Sequence, residues 1–184
     1  MELTVPDLRD DIVALRPPEI GDVDAITAAC QDPAIPQFTR VPSPYRREDG
    51  VAHVERVTGA WADGSEAVMV IVDAETGVLL GSIGLLRLDE HPDCAEIGYW
   101  VAKESRRRGI ATRAVTLVSR WAVQELGVQR LELMTRVENV ASQGVAARAG
   151  FKREGVLRSY MTLGCGRIDT VMFSLVPADL EATR

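Results

Sequence analysis

Val101-Ala102-Lys103-Glu104-Ser105-Arg106-Arg107-Arg108-Gly109-Ile110-Ala111-Thr112 is the stretch whose reading decides the fold. Before it, Cys94 to Val101 reads as a strand; after it, about Gly109 to Leu126 carries helical spacing. A strand-to-helix turn leaves the first N–H groups of the helix unpaired under a partial positive charge, and an anion is stabilised there. Gly109 and Ala111 keep side chains out of the way, while Arg106, Arg107 and Arg108 raise the local potential. The turn suits a pyrophosphate. On these residues alone, a solvated basic loop capping a helix fits equally well. Two other phosphate sites fail: a nucleotide P-loop needs Gly-Lys-Ser/Thr where this chain has Gly109-Ile110-Ala111-Thr112, and the three spaced glycines of a dinucleotide fingerprint are missing.

Working outward, the N-terminal half reads as strand and helix followed by an antiparallel meander. Ile12 to Arg16 is a strand stopped by Pro17-Pro18, and a short helix follows around Asp22 to Gln31. The stretch holding Pro33, Pro36, Pro42 and Pro44 reads as a loop. A second helix from about Arg47 to Ala62 buries Val51, Val54, Val57 or Thr58, and Trp61, and Asp63-Gly64 ends it. Ala67 to Asp73 and Val78 to Leu88 are strands joined by a hairpin-type turn, and Asp89 to Asp93 turns into the strand at Cys94. Past the arginine turn come a strand over Arg130 to Val137, a helix over Val140 to Ala149, and strands over Phe151–Leu157 and Ile168–Leu175. An antiparallel half followed by alternating strands and helices predicts a mixed α/β sheet with a parallel crossover.

The composition fits one soluble domain over residues 1–184: 46% of residues are hydrophobic and 26% charged, with neither repeats nor linkers. The net charge of −6 argues against nucleic acid or an anionic membrane as the main partner. No apolar run approaches a membrane span, and the first residues, Met1 to Asp7, are acidic and polar where a secretory signal is basic and then apolar. Cys30, Cys94 and Cys165 are far apart, and the only histidines are His53 and His91. Neither a disulfide framework nor a zinc or His-rich metal site is expected.

A second constellation is Asn139-Val140-Ala141-Ser142-Gln143-Gly144-Val145-Ala146-Ala147-Arg148-Ala149-Gly150-Phe151. Asn139 suits an N-cap and Gly150 the residue just past a helix end. Those local roles do not explain why this helix comes one strand after the arginine–glycine turn. Together the two segments resemble the GNAT superfamily of acyl-coenzyme A-dependent N-acetyltransferases. Arg106-Arg107-Arg108-Gly109-Ile110-Ala111 matches its Arg/Gln-x-x-Gly-x-Gly/Ala signature, and Asn139 to Phe151 its Asn-x-x-Ser/Ala…Gly-Phe helix. Leu15-Arg16-Pro17, Glu96-Ile97-Gly98-Tyr99-Trp100-Val101, Glu154-Gly155-Val156-Leu157-Arg158 and Gly166…Asp169…Phe173-Ser174-Leu175 resemble its RimJ/RimL-like branch, the ribosomal-protein N-terminal acetyltransferases.

The resemblance implies the GNAT fold, helices on both faces of the sheet, and acetyl-CoA as cosubstrate without a metal. It implies a pyrophosphate on Arg106, Arg107, Arg108, Gly109, Ile110, Ala111 and Thr112, and a pantetheine arm added like a strand beside Trp100 and Val101. It also places Asn139 and Ser142 near the coenzyme A, with the Ser142 hydroxyl able to stabilise or protonate the leaving thiolate. A backbone N–H near Tyr99 to Val101 is then aimed at the thioester carbonyl. The family's frequent tyrosine acid, four residues before the Gly-Phe pair, is Ala146 here. The acid role falls to Ser142 or to solvent.

Glu96 is the candidate base. It shares a strand face with Gly98 and Trp100 by alternation, and a glutamate between Ala95 and Ile97 is costly unless solvated, paired or functional. An acceptor amine must lose a proton before attack, which gives a carboxylate something to do. A structural glutamate paired with an arginine is the competing reading. His53, His91 and the cysteines are expected to take no part, and Arg40, Arg46 and Arg47 are either acceptor contacts or a soluble rim. The resulting expectation is a cytoplasmic N-acetyltransferase, a homodimer by analogy with the branch, acting on a protein or peptide α-amino group. Acetylation of a small-molecule amine and a non-catalytic acyl-CoA-binding module are the alternatives.

Overall fold

The computed structural model describes residues 3–90, 93–164 and 166–181. Its elements in chain order are β1 (Leu8–Arg9), β2 (Val13–Arg16), α1 (Val23–Ala29), α2 (Ala34–Phe38), α3 (Arg47–Asp63), β3 (Ala67–Asp73), β4 (Leu79–Leu86), β5 (Cys94–Val101), α4 (Ile110–Gln124), β6 (Arg130–Arg136), α5 (Val140–Arg148), β7 (Lys152–Leu163), β8 (Gly166–Leu175) and α6 (Pro177–Glu181). One eight-stranded sheet runs in the order β1-β2-β3-β4-β5-β6-β8-β7. Among the described residues only the β5–β6 pairing is parallel; the other neighbours are antiparallel. The mixed sheet with a parallel crossover is therefore the observed architecture. Its parallel step uses α4 as the connection, since a parallel pair cannot be closed by a tight turn.

Side chains alternate between two apolar clusters, one on each face of the sheet. Met69 and Ile71 of β3, Ile97 and Val101 of β5, and Val115 and Val118 of α4 belong to the larger cluster. Val70 and Val72 of β3 join Val23 and Ile26 of α1, Ile35 of α2 and Val54 of α3 in the smaller one. On β5 the same alternation sends Tyr99 to the larger cluster and Trp100 to the smaller. Trp61 near the end of α3 stacks on Trp121 of α4 with ring centroids 6.1 Å apart, and its indole N–H donates to the Val68 carbonyl at 2.8 Å.

The structure departs from the sequence reading in the proline-rich stretch and at both ends. Ala34–Phe38 is helical although it contains Pro36; that proline lies in the first turn, where its missing N–H has no intrahelical partner to lose. Val51 is only half-buried while Gly50 packs against Val23 and Thr27. β4 stops at Leu86, not Leu88, because Arg87 takes a left-handed backbone conformation with φ 63°. β7 and β8 form a longer hairpin than expected, and β8 inserts between β6 and β7. The two-residue β1 carries too little pattern to read. His91 and Cys165 lie outside the described residues.

Candidate active site

The parallel pairing that decides the fold is also where the sheet opens. β5 and β6 pair only through Cys94↔Arg130, Ala95↔Leu131 and Glu96↔Glu132. Beyond Glu96 the strands continue to Val101 and Arg136 without pairing to each other. A cleft of about 910 Å³ passes through this opening, and Glu96, Trp100, Val101, Arg106, Arg107, Gly109, Ile110, Ala111, Thr112, Asn139 and Ser142 all line it. Arg108 does not. Its charge instead helps to lower the carboxyl of Asp73, a half-buried acid held chiefly by the Thr76 backbone and hydroxyl.

At one end the cleft meets the N-terminus of α4. Gly109 takes φ 78° there, a left-handed conformation that L side chains resist, and no side chain caps the helix. The Thr112 Oγ1 is buried in the same wall with no hydrogen-bond partner. Free N–H groups and an orphaned hydroxyl at one helix end fit a pyrophosphate.

Asn139 caps α5 by accepting the Ser142 N–H at 3.1 Å, as its position predicts. Ser142 Oγ in turn accepts a hydrogen bond from the Tyr99 hydroxyl at 2.9 Å. Tyr99 had no assigned chemistry in the sequence beyond its backbone. Its position three residues beyond Glu96 on the same strand was the available signal, since alternation places it on the opposite face, toward α4 and α5. Burial pushes its phenol up to about 12. Ala146 is completely buried.

Glu96 lies on the other face of β5. It is 7% exposed, and its Oε2 sits 3.1 Å from Arg87 Nη2 without a hydrogen bond of good geometry. Arg87 also approaches Glu132 at 3.6 Å. Burial raises the Glu96 pKa above the ordinary carboxylate value, opposed by the charges of Arg40 and Arg87 and reinforced by Glu132 and Glu90. Thus the buried carboxylate is paired with an arginine in the wall of the cleft. The wall on this side comes from α1, α2, α3 and the intervening loop, including Arg40 and His53. Burial lowers the His53 pKa, so the ring is neutral at neutral pH. Arg47 pairs with Asp24 on the exposed surface. Cys30 is buried and its thiol pushed up to about 12, which removes it as a nucleophile. Among the described residues no cluster of His, Cys, Asp or Glu is placed to hold a metal ion, and no helix is long and apolar enough to cross a membrane.

A sheet opened between two parallel strands above an uncapped helix N-terminus is the mixed-sheet arrangement that the resemblance to the GNAT superfamily implies. Residues 13–152 match the sequence profile of the acetyltransferase (GNAT) domain, and the chain belongs to that family. It is 27% identical over 171 residues to YoaA, an uncharacterized N-acetyltransferase of Bacillus subtilis, covering 93% of this chain and 97% of the relative. A ribosomal-protein-serine acetyltransferase of Escherichia coli is 34% identical over 80 residues, 44% of this chain and 45% of the relative. In fold it is similar to Mycobacterium smegmatis RimJ in complex with CoA-disulfide, with a TM-score of 0.85, 23% identity, and coverage of 97% and 90% of the two chains.

Proposed function

We propose that this chain, acting as a single cytoplasmic domain over residues 1–184, transfers the acetyl group of acetyl-CoA to the α-amino group of a protein or peptide. The observation that carries the reading is the β5–β6 opening, with Glu96 on one face of β5 and the Tyr99–Ser142 pair on the other. Acetyl-CoA supplies an acyl group already activated as a thioester.

The N–H groups of Ile110, Ala111 and Thr112 and the Thr112 hydroxyl would hold the pyrophosphate, with Arg107 adding charge. The free edge of β5 at Trp100 and Val101 would pair with the pantetheine amides. A backbone N–H between Tyr99 and Val101 polarises the thioester carbonyl, a donor of the kind worth about 10²–10³ in rate. Glu96, directly or through water, takes a proton from the acceptor ammonium, and the amine nitrogen then forms the new bond to the acyl carbon. As the carbon–sulfur bond breaks, the Ser142 hydroxyl donates a hydrogen bond to the departing thiolate. The second proton that the nitrogen sheds on becoming an amide passes through water to that thiolate to give the free thiol. Thiol pKa values lie not far above neutral, so stabilisation suffices where a strong acid is lacking.

The peptide reading draws its support from likeness to the RimJ/RimL-like branch, and the fold itself is shared by many acceptors. Thiol release from acetyl-CoA with peptide N-termini, amino acids, polyamines and aminoglycosides tests it. Turnover confined to peptides supports the proposal; turnover confined to small amines replaces it, and none with measurable acetyl-CoA binding leaves a binding module.

A further inference from the structure

We propose that α2 is a strap drawn across the β5–β6 opening, and that Arg106 serves the acceptor through this strap rather than the pyrophosphate. The inference rests on the acetyltransfer reading for its kinetic part. Arg106 holds two groups at once. Its Nε donates to the Val101 carbonyl at 3.0 Å, at the very end of β5, and its Nη2 lies 2.5 Å from Asp32 Oδ2. The planar guanidinium fork is suited to such divided use, which a lysine cannot reproduce. Asp32 is in turn the N-terminal anchor of α2, since its Oδ1 accepts the Ala34 N–H at 3.1 Å. The Ala34 N–H and the Arg106 charge hold the Asp32 carboxyl below the usual range, so it is ionised at neutral pH.

The far end of α2 is tied to the opposite bank. Arg136, the last residue of β6, donates from Nη1 to the Gln37 carbonyl at 3.1 Å. Val101 and Arg136 are the terminal residues of the two diverging strands, so one short helix is pinned to both sides of the gap they leave. From α2 and the residues that follow it, Ile35, Phe38, Arg40 and Val41 line the cleft. That wall faces Glu96: Arg40 is the foremost charge acting on the Glu96 carboxylate. The first arginine of the cofactor-turn signature therefore links the end of the donor strand to the wall against which an acceptor would rest.

The test compares Asp32→Asn, which keeps an oxygen for the Ala34 N–H but removes the charge, with Arg106→Met. Both should raise KM for the amine on the order of tenfold, as expected for loss of one charge-assisted contact. Acetyl-CoA affinity by titration calorimetry should stay at the unsubstituted value, and the double variant should be no worse than either single one. A loss of acetyl-CoA affinity confined to Arg106→Met, with unchanged amine KM in Asp32→Asn, would return Arg106 to the pyrophosphate and overturn the proposal. Multiplying effects in the double variant would overturn it too. Hydrogen exchange gives a readout independent of activity: Asp32→Asn should speed exchange at the α2 amides while the β5 amides keep their protection. Unchanged α2 exchange refutes the strap even if no amine is a substrate, whereas a failure of the unsubstituted protein to release thiol with any amine refutes the acetyltransfer reading alone. Should Arg106→Met fail to fold, Arg106→Lys is measured in its place with the same outcomes.

Discussion

The Tyr99 hydroxyl donates to Ser142 Oγ across 2.9 Å, joining the open end of β5 to the first turn of α5. Because Ser142 accepts from Tyr99, its own proton is left for another acceptor in the cleft, the part the proposed mechanism gives to the leaving thiolate. Burial pushes the Tyr99 phenol up to about 12, so it remains a donor through the whole neutral range. In the proposed mechanism it would position Ser142.

Ser142→Ala should lower kcat on the order of tenfold, the scale of one lost hydrogen bond to a charged group. Tyr99→Phe should lower it less, and should add nothing in the Ser142→Ala background, with acetyl-CoA affinity unchanged throughout. Steady-state kinetics of the four proteins decides the matter. Losses that multiply would show two independent roles.

At the helix N-terminus two substitutions separate conformation from contact. A Cβ on Gly109 would meet nothing within 4 Å, yet the residue sits at φ 78°. Gly109→Ala should therefore cost about 1–2 kcal/mol of left-handed strain and weaken acetyl-CoA together. Gly109→Val should do so more strongly, with cooperative melting retained. Thr112→Val should behave differently. Its hydroxyl has no partner in the protein, so the melting temperature should hold or rise while acetyl-CoA binds more weakly. Unchanged affinity in folded Thr112→Val would take the hydroxyl out of the cofactor site.

Much of this arrangement was legible in the sequence because it is local. β3 and β5 fall on the predicted spans, Asn139 caps α5, and period-two alternation puts Glu96 and Trp100 on one face. What was not legible depends on elements distant in the chain. Nothing near Glu96 announces Arg87, whose left-handed backbone ends β4 beside it. Nothing near Arg106 announces Asp32, seventy-odd positions earlier, and Tyr99 meets Ser142 only because the crossover brings α5 over β5. Nor did the insertion of β8 between β6 and β7 follow from pattern, since hydrophobic alternation gives a strand's faces and not its neighbours.

The β6–β7–β8 edge carries a pH-dependent contribution to stability. Arg130 holds Glu154 through two nitrogens at 2.9 and 2.7 Å, and Ser174 donates to the same carboxylate at 2.6 Å. These bonds lower the Glu154 pKa from 4.5 to about 2. A depressed carboxyl stabilises the fold above its unfolded value and loses that contribution as pH falls through its folded one. The melting-temperature gap between the unsubstituted protein and Glu154→Gln should therefore be full at neutral pH and close as pH falls from about 4.5 to about 2. Because the pair is partly exposed, the gap should be small and should shrink with salt. A gap independent of pH would assign it to packing.

Glu96 is the proposed base, and its surroundings support two roles at once. Burial raises its pKa, while Arg40 and Arg87 restrain the shift. With the folded pKa above the unfolded one, this carboxyl favours the fold below the unfolded value and loses that contribution as pH rises through the folded one. Ionising Glu96 is thus a cost to the fold, offset by the Arg87 pair or by the reaction. For a base, kcat/KM should fall on the acidic side with a limb displaced upward from the ordinary carboxylate range. Glu96→Gln should then abolish that limb, reduce turnover by about 10²–10⁴, and leave acetyl-CoA affinity intact. Activity should recover in part at high pH, where more amine arrives deprotonated. For a residue whose business is Arg87, the same substitution should lower the melting temperature, leave turnover per folded molecule nearly unchanged and keep the acidic limb where it was. Arg87→Met separates the two further: it removes the pairing but leaves the carboxylate in the cleft, so a catalytic Glu96 should show its limb moved to still higher pH, because a cation that held its proton off has gone. A limb that stays put in Arg87→Met and survives in Glu96→Gln would give the proton to a water chain or to backbone carbonyls instead.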